Sequence, residues 1–423
     1  MMYHLWETCY AANREMRESD SGVFEHQQLP SVNELVAGEC PTLPLYCVRP
    51  ATIISACRRF ISRFKGNVLY SVKCNTEPFV LDAIWRGGVR HFDCASLTEI
   101  KLVRMRFPSA IIHFLHPVKS KKDIAEAYTR WAVRTFVLDS NEELEKIIEA
   151  TNTNENKDNE DLVLLVRLAL PDNNDKQCSL YPLSGKFGVE GIYEAANLLQ
   201  RARGRARYLG ICFHVGSQCV DPNAYAQALA HASQVISRAG IPLEVVDVGG
   251  GFPTSYPHSI PPPLDSYMSI IEQGCERLPS EFVSNARIWC EPGRALVADS
   301  GSLVIRVETR RPTHNILHVN DGTYGNLRIA GSNTRWQFPV RLLRHSTAEL
   351  VPFTFFGPTC DSVDYMPGPF MLPDDIHCDD YIEIGRFGAY NTETRTSFNG
   401  FDRTLVARVR DPPMLLTSSY NND

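Results

Sequence analysis

TFVLDSNEELEKIIEAT, residues 135–151, is the stretch that decides the architecture. Its first five residues are a short apolar run that reads as a buried strand. The rest carries apolar residues at helical spacing. The couplet recurs on both sides. NVLYSV (67–72), AIIHFL (110–115), LVLLVRL (162–168), YLGICFHV (208–215) and LEVVDV (243–248) are further strands, and ARIWC before residue 291 is a short one. EPFVLDAIWRG, SLTEIKLVRMRF, GIYEAANLLQRAR and PNAYAQALAHASQVISRAG are further helices. Strand–helix alternation repeated this often implies parallel strands joined by helical crossovers. About eight units in about 250 residues fit an α/β fold of the (β/α)8 barrel type, with reactive groups at the carboxyl ends of the strands. A doubly wound open sheet is the competing arrangement.

Beyond residue 300 the text changes. SLVIRVETRR, THNILHVND, FPVRLL, ELVPFTFFG, YIEIGRF and TLVARVRD alternate or are β-branched, with turn residues between them. That pattern predicts a mainly antiparallel β domain. The expected division is an N-terminal segment (1–45) joining the β domain, a barrel over 46–298 and the β domain over 299–423. TNTNENKDNE (151–160) reads as a solvated insertion and HSIPPPLDS (258–266) as an irregular connection.

Composition narrows the class. The 423 residues are 43% hydrophobic and 22% charged, with a formal net charge of −6. That balance argues against nucleic-acid or anionic-membrane partners, which call for a basic stripe. The 13 cysteines are scattered, odd in number and without metal-site spacing, which fits a reducing compartment and predicts no metal centre. The opening MMYHLWETCYAANREMRESD is too interrupted by charge to be a signal peptide. The longest apolar run, LVLLVRLAL (162–170), is too short for a bilayer and carries Arg167. A soluble, cytoplasmic protein is expected.

Five places can carry chemistry. Lys73, in LYSVKCN at a strand end, can form a Schiff base with an aldehyde cofactor if its amine is partly desolvated; a lysine pointing into solvent is the plainer alternative. The glycines 249–251 in VVDVGGGFP can bring backbone N–H groups close to a phosphate, or make a tight turn. EPGR (291–294) offers Glu291, Gly293 and Arg294: a carboxylate that can keep a pyridine nitrogen protonated, or a surface ion pair. In FHVGSQC, His214 can stack on an aromatic cofactor and Ser217 can bond a phosphate, or the histidine sits satisfied in the core. In GPTCDSVD (357–364), Cys360 can donate a proton while Asp361 and Asp364 hold a substrate ammonium, or the thiol is inert.

Taken together and in order, these strings resemble the fold-type III pyridoxal-phosphate decarboxylases, and most closely the eukaryotic ornithine decarboxylase family. YSVKCN (70–75), FDCAS-TEI (92–100), SGKFG (184–188), FHVGSQC, DVGGGFP (247–253), EPGR, VNDGTYG (319–325), GPTCDSVD and GAY…FNGF (388–401) carry the likeness, which runs from about residue 46 to about residue 402. The resemblance implies pyridoxal 5'-phosphate as cofactor, held covalently by Lys73. His214 would stack on its ring and Glu291 would pair with its nitrogen. Ser217, Gly249, Gly250, Gly251, Gly293, Arg294 and Tyr390 would surround its phosphate, with Asp93, Glu99 and Arg167 as supporting polar groups. Cys360 would protonate the carbanion left by carbon dioxide. It and Asp361 would come from the partner subunit, making a homodimer with shared active sites. Tyr324, Phe398 and Asp361 would meet the amino acid substrate.

The chain departs from the family at the substrate's far end. Ornithine decarboxylases commonly place an Asp where this chain has Asn333, and the surrounding segment here is RIAGSN. Losing one charged partner of a buried ammonium costs about 1.5–3 kcal/mol, or about ten- to hundredfold in affinity. Arg328 adds positive charge nearby in sequence. The family's NPCK string is HPVK (116–119) here, a change that reads as lying apart from the chemistry. The expected activity is α-decarboxylation of an ornithine-related amino acid with an altered distal end. Ornithine-decarboxylase-like enzymes of fungal alkaloid pathways, such as loline biosynthesis, offer a precedent. The alternatives are a true ornithine decarboxylase, an inactive regulatory paralogue of the antizyme-inhibitor kind, and a cofactor carrier with the same barrel.

Overall fold

The computed structural model describes residues 29–152, 161–171, 179–181, 185–257, 259–311, 315–331 and 336–415. In chain order its strands are β1 (Leu45–Val48), β2 (Asn67–Ser71), β3 (His91–Cys94), β4 (Ile111–Phe114), β5 (Thr135–Leu138), β6 (Val163–Arg167), β7 (Ser179–Tyr181), β8 (Tyr208–Cys212), β9 (Ser217–Cys219), β10 (Val245–Asp247) and β11 (Arg287–Cys290). The second region adds β12 (Gly301–Arg311), β13 (Ile316–Val319), β14 (Val340–Leu342), β15 (Leu350–Phe356), β16 (Tyr365–Pro373), β17 (Tyr381–Ile384) and β18 (Leu405–Arg408).

β2, β3, β4, β5, β6, β8, β10 and β11 close into a parallel barrel, as the βα rhythm predicts. Successive side chains of a strand face opposite sides. Leu69, Leu115, Val137, Leu165, Cys212, Val245 and Trp289 pack as the plug inside. Direct register partners share a face, so Arg167 and Asp247, both opposite Cys212, also point inward. Asp93 follows the same parity opposite Ser71. The barrel therefore carries an apolar floor and a polar rim at the carboxyl ends of its strands. The other strand faces meet the surrounding helices, such as Pro50–Arg63 and Asn223–Ala239, in the largest buried cluster.

The second sheet runs β14-β17-β12-β13-β15-β16, with β1 antiparallel to β12 and parallel to β18. β1 spans the expected 45/46 boundary and lies in this sheet, not in the barrel. One further pair, β13 with β15, is parallel in an otherwise antiparallel arrangement. Arg49, directly after β1, is fully enclosed and ties the regions together: its Nη2 donates to Glu383 at 2.8 Å and its Nη1 to Ser302 Oγ at 2.9 Å.

Five strands, β1, β3, β7, β9 and β16, fall outside the expected runs, and two of them show why. β3 reads HFDC because it aims His91 and Asp93 inward, so function overrides the apolar run. β16 reads YMPGPFMLP, which looks like a turn, but as the last strand of the sheet it tolerates proline. The proline-rich stretch at 258–266 is shorter than expected, because helix Leu264–Glu276 starts inside it. Much of TNTNENKDNE lies outside the described residues. Among the described residues no helix is long and apolar enough to cross a membrane, and every cysteine is a free thiol.

Candidate active site

Lys73 sits in the turn Val72–Cys74 that ends β2, at the rim of the barrel. Its Nζ donates to Asp93 Oδ2 at 2.9 Å, and Ser71 Oγ donates to the same oxygen at 2.7 Å. The Lys73 side chain keeps 42% of its surface accessible, so a ligand can reach the amine. Crowding alone pulls its pKa down, but the charges of Asp93 and Glu291 outweigh that and hold the ammonium above its ordinary value.

Glu291 follows β11 and is buried; its N–H donates to Gly249 O at 2.8 Å. Asp247, at the end of β10, is fully buried, and its Oδ1 accepts from the Gly249 N–H at 2.9 Å. Desolvation raises both carboxyls, and Asp247 raises Glu291 further, so this pair retains a proton that isolated carboxylates would lose. His214 lies just beyond β8. The Gly216 N–H donates to its Nδ1 at 2.9 Å, which fixes the ring, and burial, then Arg167 and Lys73, push its pKa well below the usual value. The imidazole is neutral.

The glycine run packs against this group. Gly249 has φ +70° and Gly251 φ +102°, and a Cβ on Gly249 would stand 2.0 Å from Phe213 O. A Cβ on Gly250 would meet Glu291 O at 2.7 Å and His214 Nε2 at 3.0 Å. Only glycine lets the backbone through. Arg294 is buried between aromatic rings. Its Nη1 donates to Tyr256 Oη at 3.0 Å and its Nη2 to Ser217 Oγ at 3.3 Å, while the guanidinium lies 4.3 Å from the Trp336 ring and 5.0 Å from that of Tyr390. Gly293 packs against Cys74, where a Cβ would stand 2.8 Å away. Tyr390 reaches in from the β region, its N–H donating to Cys74 O at 2.8 Å.

Four buried polar atoms here have no hydrogen-bond partner: Asp93 Oδ1, Arg167 Nε, Asp247 Oδ2 and Arg294 Nε. Orphaned buried groups at this density mark a ligand site. Acceptors, guanidinium donors, a flat neutral ring and glycine backbone suit an aromatic aldehyde phosphate with a basic ring nitrogen.

The remaining expected residues form a second group. Tyr324 Oη donates to Asp361 Oδ2 at 2.5 Å, and the Tyr324 and Phe398 rings lie 4.6 Å apart. Cys360 is exposed, and its thiol donates to Asn399 Oδ1 at 3.3 Å. The segment between Tyr390 and Phe398 connects the groups, since the Thr396 N–H donates to Tyr324 O at 2.8 Å. Among the described residues no hydrogen bond, ion pair or ring contact joins Cys360 or Asp361 to Lys73 within one chain. Asp364 is not free for substrate: it is buried and accepts from Thr323 and Thr359. Glu99 holds the turn after β3, accepting from the Ala95 N–H at 2.7 Å. Arg328 is exposed. Asn333 lies outside the described residues.

Sequence reasoning missed Asp247 and Asn399 as participants. Both stood inside quoted strings, Asp247 two residues before the first glycine of the run and Asn399 within FNGF, but nothing in their spacing signals a partner.

Residues 50–298 match the family described as "Pyridoxal-dependent decarboxylase, pyridoxal binding domain". The chain belongs to this family. It is 30% identical over 365 residues to the ornithine decarboxylase of Caenorhabditis elegans, covering 82% of each protein. It is 30% identical to the lysine/ornithine decarboxylase of Selenomonas ruminantium over 84% of this chain and 86% of that one. Among solved structures, the Paramecium bursaria Chlorella virus arginine decarboxylase bound to agmatine superposes with a TM-score of 0.77 at 27% identity, over 89% of this chain and 99% of the other. Like the family, this pyridoxal-dependent decarboxylase uses pyridoxal 5'-phosphate and is a carboxy-lyase of the ornithine/lysine/arginine type.

Proposed function

We propose that the protein removes the α-carboxyl group of an ornithine-related amino acid whose far end is not a simple primary ammonium, as a homodimer whose two chains share each active site. The observation that carries the decarboxylase reading is the Lys73–Asp93 pair, 2.9 Å long, beside the Glu291–Asp247 pair and the glycine run. When bound, the cofactor supplies an electron sink for the breaking Cα–carboxylate bond.

Each residue then has a task. Lys73 would hold the cofactor, with Asp93 positioned to take or return the proton of its Nζ. Neutral His214 would cover the ring face, and Glu291, backed by Asp247, would hold the proton on the ring nitrogen. Ser217, Arg294, Tyr390 and the backbone of Gly249, Gly250, Gly251 and Gly293 would grip the phosphate. Arg167 would offer its unpaired Nε to a cofactor oxygen. Cys360 Sγ, exposed and oriented by Asn399, would deliver a proton to Cα from the neighbouring chain, and the Asp361–Tyr324–Phe398 group would meet the side chain of the substrate.

Support for the altered substrate comes from Asn333, which cannot supply the negative charge that ornithine decarboxylases commonly place there. A role in alkaloid or other secondary metabolism, in the cytoplasm, goes with that change. The test is to supply holoenzyme with a panel of amino acids and measure released carbon dioxide. Turnover of ornithine should be poor and should rise with Asn333→Asp. Ornithine turnover equal to that of a housekeeping ornithine decarboxylase would refute the altered-substrate reading.

A further inference from the structure

We propose that His116 is a specificity-determining residue: its imidazole receives an uncharged hydrogen-bond donor, a hydroxyl or amide-like N–H, carried by the substrate beyond its α-carbon. The inference rests on the decarboxylase reading above and refines its substrate class.

His116 opens the HPVK string, and it does not lie apart from the chemistry. It follows β4 at the carboxyl end of the barrel, and β4 pairs with β3, whose Asp93 holds Lys73. Its backbone is pinned from below. Lys119, wholly enclosed, donates from Nζ to His116 O at 2.8 Å and to Val137 O at 2.6 Å, and pairs with Glu143 at 2.9 Å. A buried ion pair is costly to build, and here it fixes one carbonyl and hence one side chain at the rim.

The ring is held from the side as well. Phe187 meets it edge-on, with centroids 5.3 Å apart and planes at 78°. Phe187 belongs to a segment tied to the ends of β5 and β6: the Gly188 N–H donates to Asp139 Oδ2 at 3.0 Å and the Val189 N–H to Arg167 O at 2.8 Å. The imidazole is thus positioned, half-buried and beside the site, while neither ring nitrogen has a hydrogen-bond partner among the described residues.

Charge decides what it can receive. Desolvation, then Lys119, Lys73 and Lys186, lower the His116 pKa, with Asp93 opposing. A neutral imidazole keeps one acceptor nitrogen. Lys186 Nζ lies 4.9 Å from the Phe187 ring that holds the imidazole, so an ammonium approaching here meets like charge, whereas a hydroxyl or amide N–H does not.

The experiment compares wild type, His116→Leu and His116→Gln as holoenzymes. The probes are amino acids of matched length ending in hydroxyl, amide, methyl or ammonium groups, together with the corresponding decarboxylated amines. Amine binding is read from the absorbance of enzyme-bound pyridoxal phosphate, independently of turnover. In His116→Leu, KM for hydroxyl and amide ends should rise about tenfold with kcat within about twofold, while methyl ends are unaffected. His116→Gln should recover most of the loss, and amine affinities should follow the same order. Bound cofactor and carbon dioxide release with an unchanged order of ends in both variants would overturn this inference alone. Absence of bound cofactor in wild type would overturn the decarboxylase reading and this refinement with it. If His116→Leu loses its cofactor, His116→Ala replaces it: a loss of about tenfold confined to hydroxyl and amide ends upholds the inference, and an unchanged order of ends overturns it.

Discussion

At the residue scale, the site is governed by which charges are left unmatched. The enclosed pair Asp247 and Glu291 cannot both ionise without cost, because each lacks water and Asp247 also raises its neighbour. A proton kept there is available to a ring nitrogen. Glu291→Gln preserves the shape and removes the charge, and should lower kcat by about 10²–10³-fold while leaving covalent cofactor attachment at Lys73 intact, as seen by rate and absorbance together. Retained wild-type kcat would show that the ring nitrogen draws its proton from elsewhere. Glu291 itself was readable in EPGR because its neighbours are unusual in combination. Asp247 was not, since a single carboxylate before glycines looks like any turn residue until the fold buries it.

At the element scale, strand ends and the turns that follow them do the positioning. Gly249 stands at φ +70° with the Phe213 carbonyl 2.0 Å from any added Cβ. Gly249→Ala should therefore cost about 1–3 kcal/mol of stability in denaturant titration and weaken cofactor binding, whereas the same change at Gly204, with open space around it, should be nearly neutral. The turn after β4 depends instead on Lys119. Burial lowers its pKa to about 8 against the pull of Glu143. The unfolded chain keeps that proton to about pH 10.4, so it binds more protons than the folded state across the interval. The contribution is complete above about pH 10.4 and is lost as pH falls through about 8. Wild-type stability should rise across this window relative to Lys119→Met, which should itself lose about 1–3 kcal/mol by leaving the His116 and Val137 carbonyls without their donor and Glu143 with Lys146 as its remaining ion-pair partner. A flat difference between the two would place Lys119 in solvent. Of these elements, six of the eight barrel strands were plain from their apolar runs and ARIWC marked a seventh. β3 was hidden because Asp93 and His91 point into the barrel, and β16 because prolines are tolerated at a sheet edge.

At the scale of the whole molecule, the chain presents two half-sites that do not meet. One is the barrel rim around Lys73. The other is the group of Cys360, Asp361, Tyr324 and Phe398, of which Cys360 and Phe398 are exposed, beside the solvent-exposed Val363 and Phe401. Apolar side chains left bare next to a thiol and a carboxylate suit a surface that a second copy covers. In the proposed dimer, two-fold symmetry would cover both faces at once and would bring each Cys360 toward the other chain's Lys73. The ordered strings in the sequence named both halves, but no single-chain pattern can show which residues complete each other across a subunit boundary. Lys73→Ala and Cys360→Ala dimers should each be nearly inactive. Mixed in equal amounts and allowed to exchange, half of the dimers become hybrids with one intact and one doubly damaged site. Activity should recover to about a quarter of that of wild type at equal total protein. Dilution below the dimer dissociation constant should abolish it. No recovery, with subunit exchange confirmed by mass spectrometry of differently labelled chains, would mean that each chain completes its own site and that Cys360 reaches Lys73 by a movement within one chain.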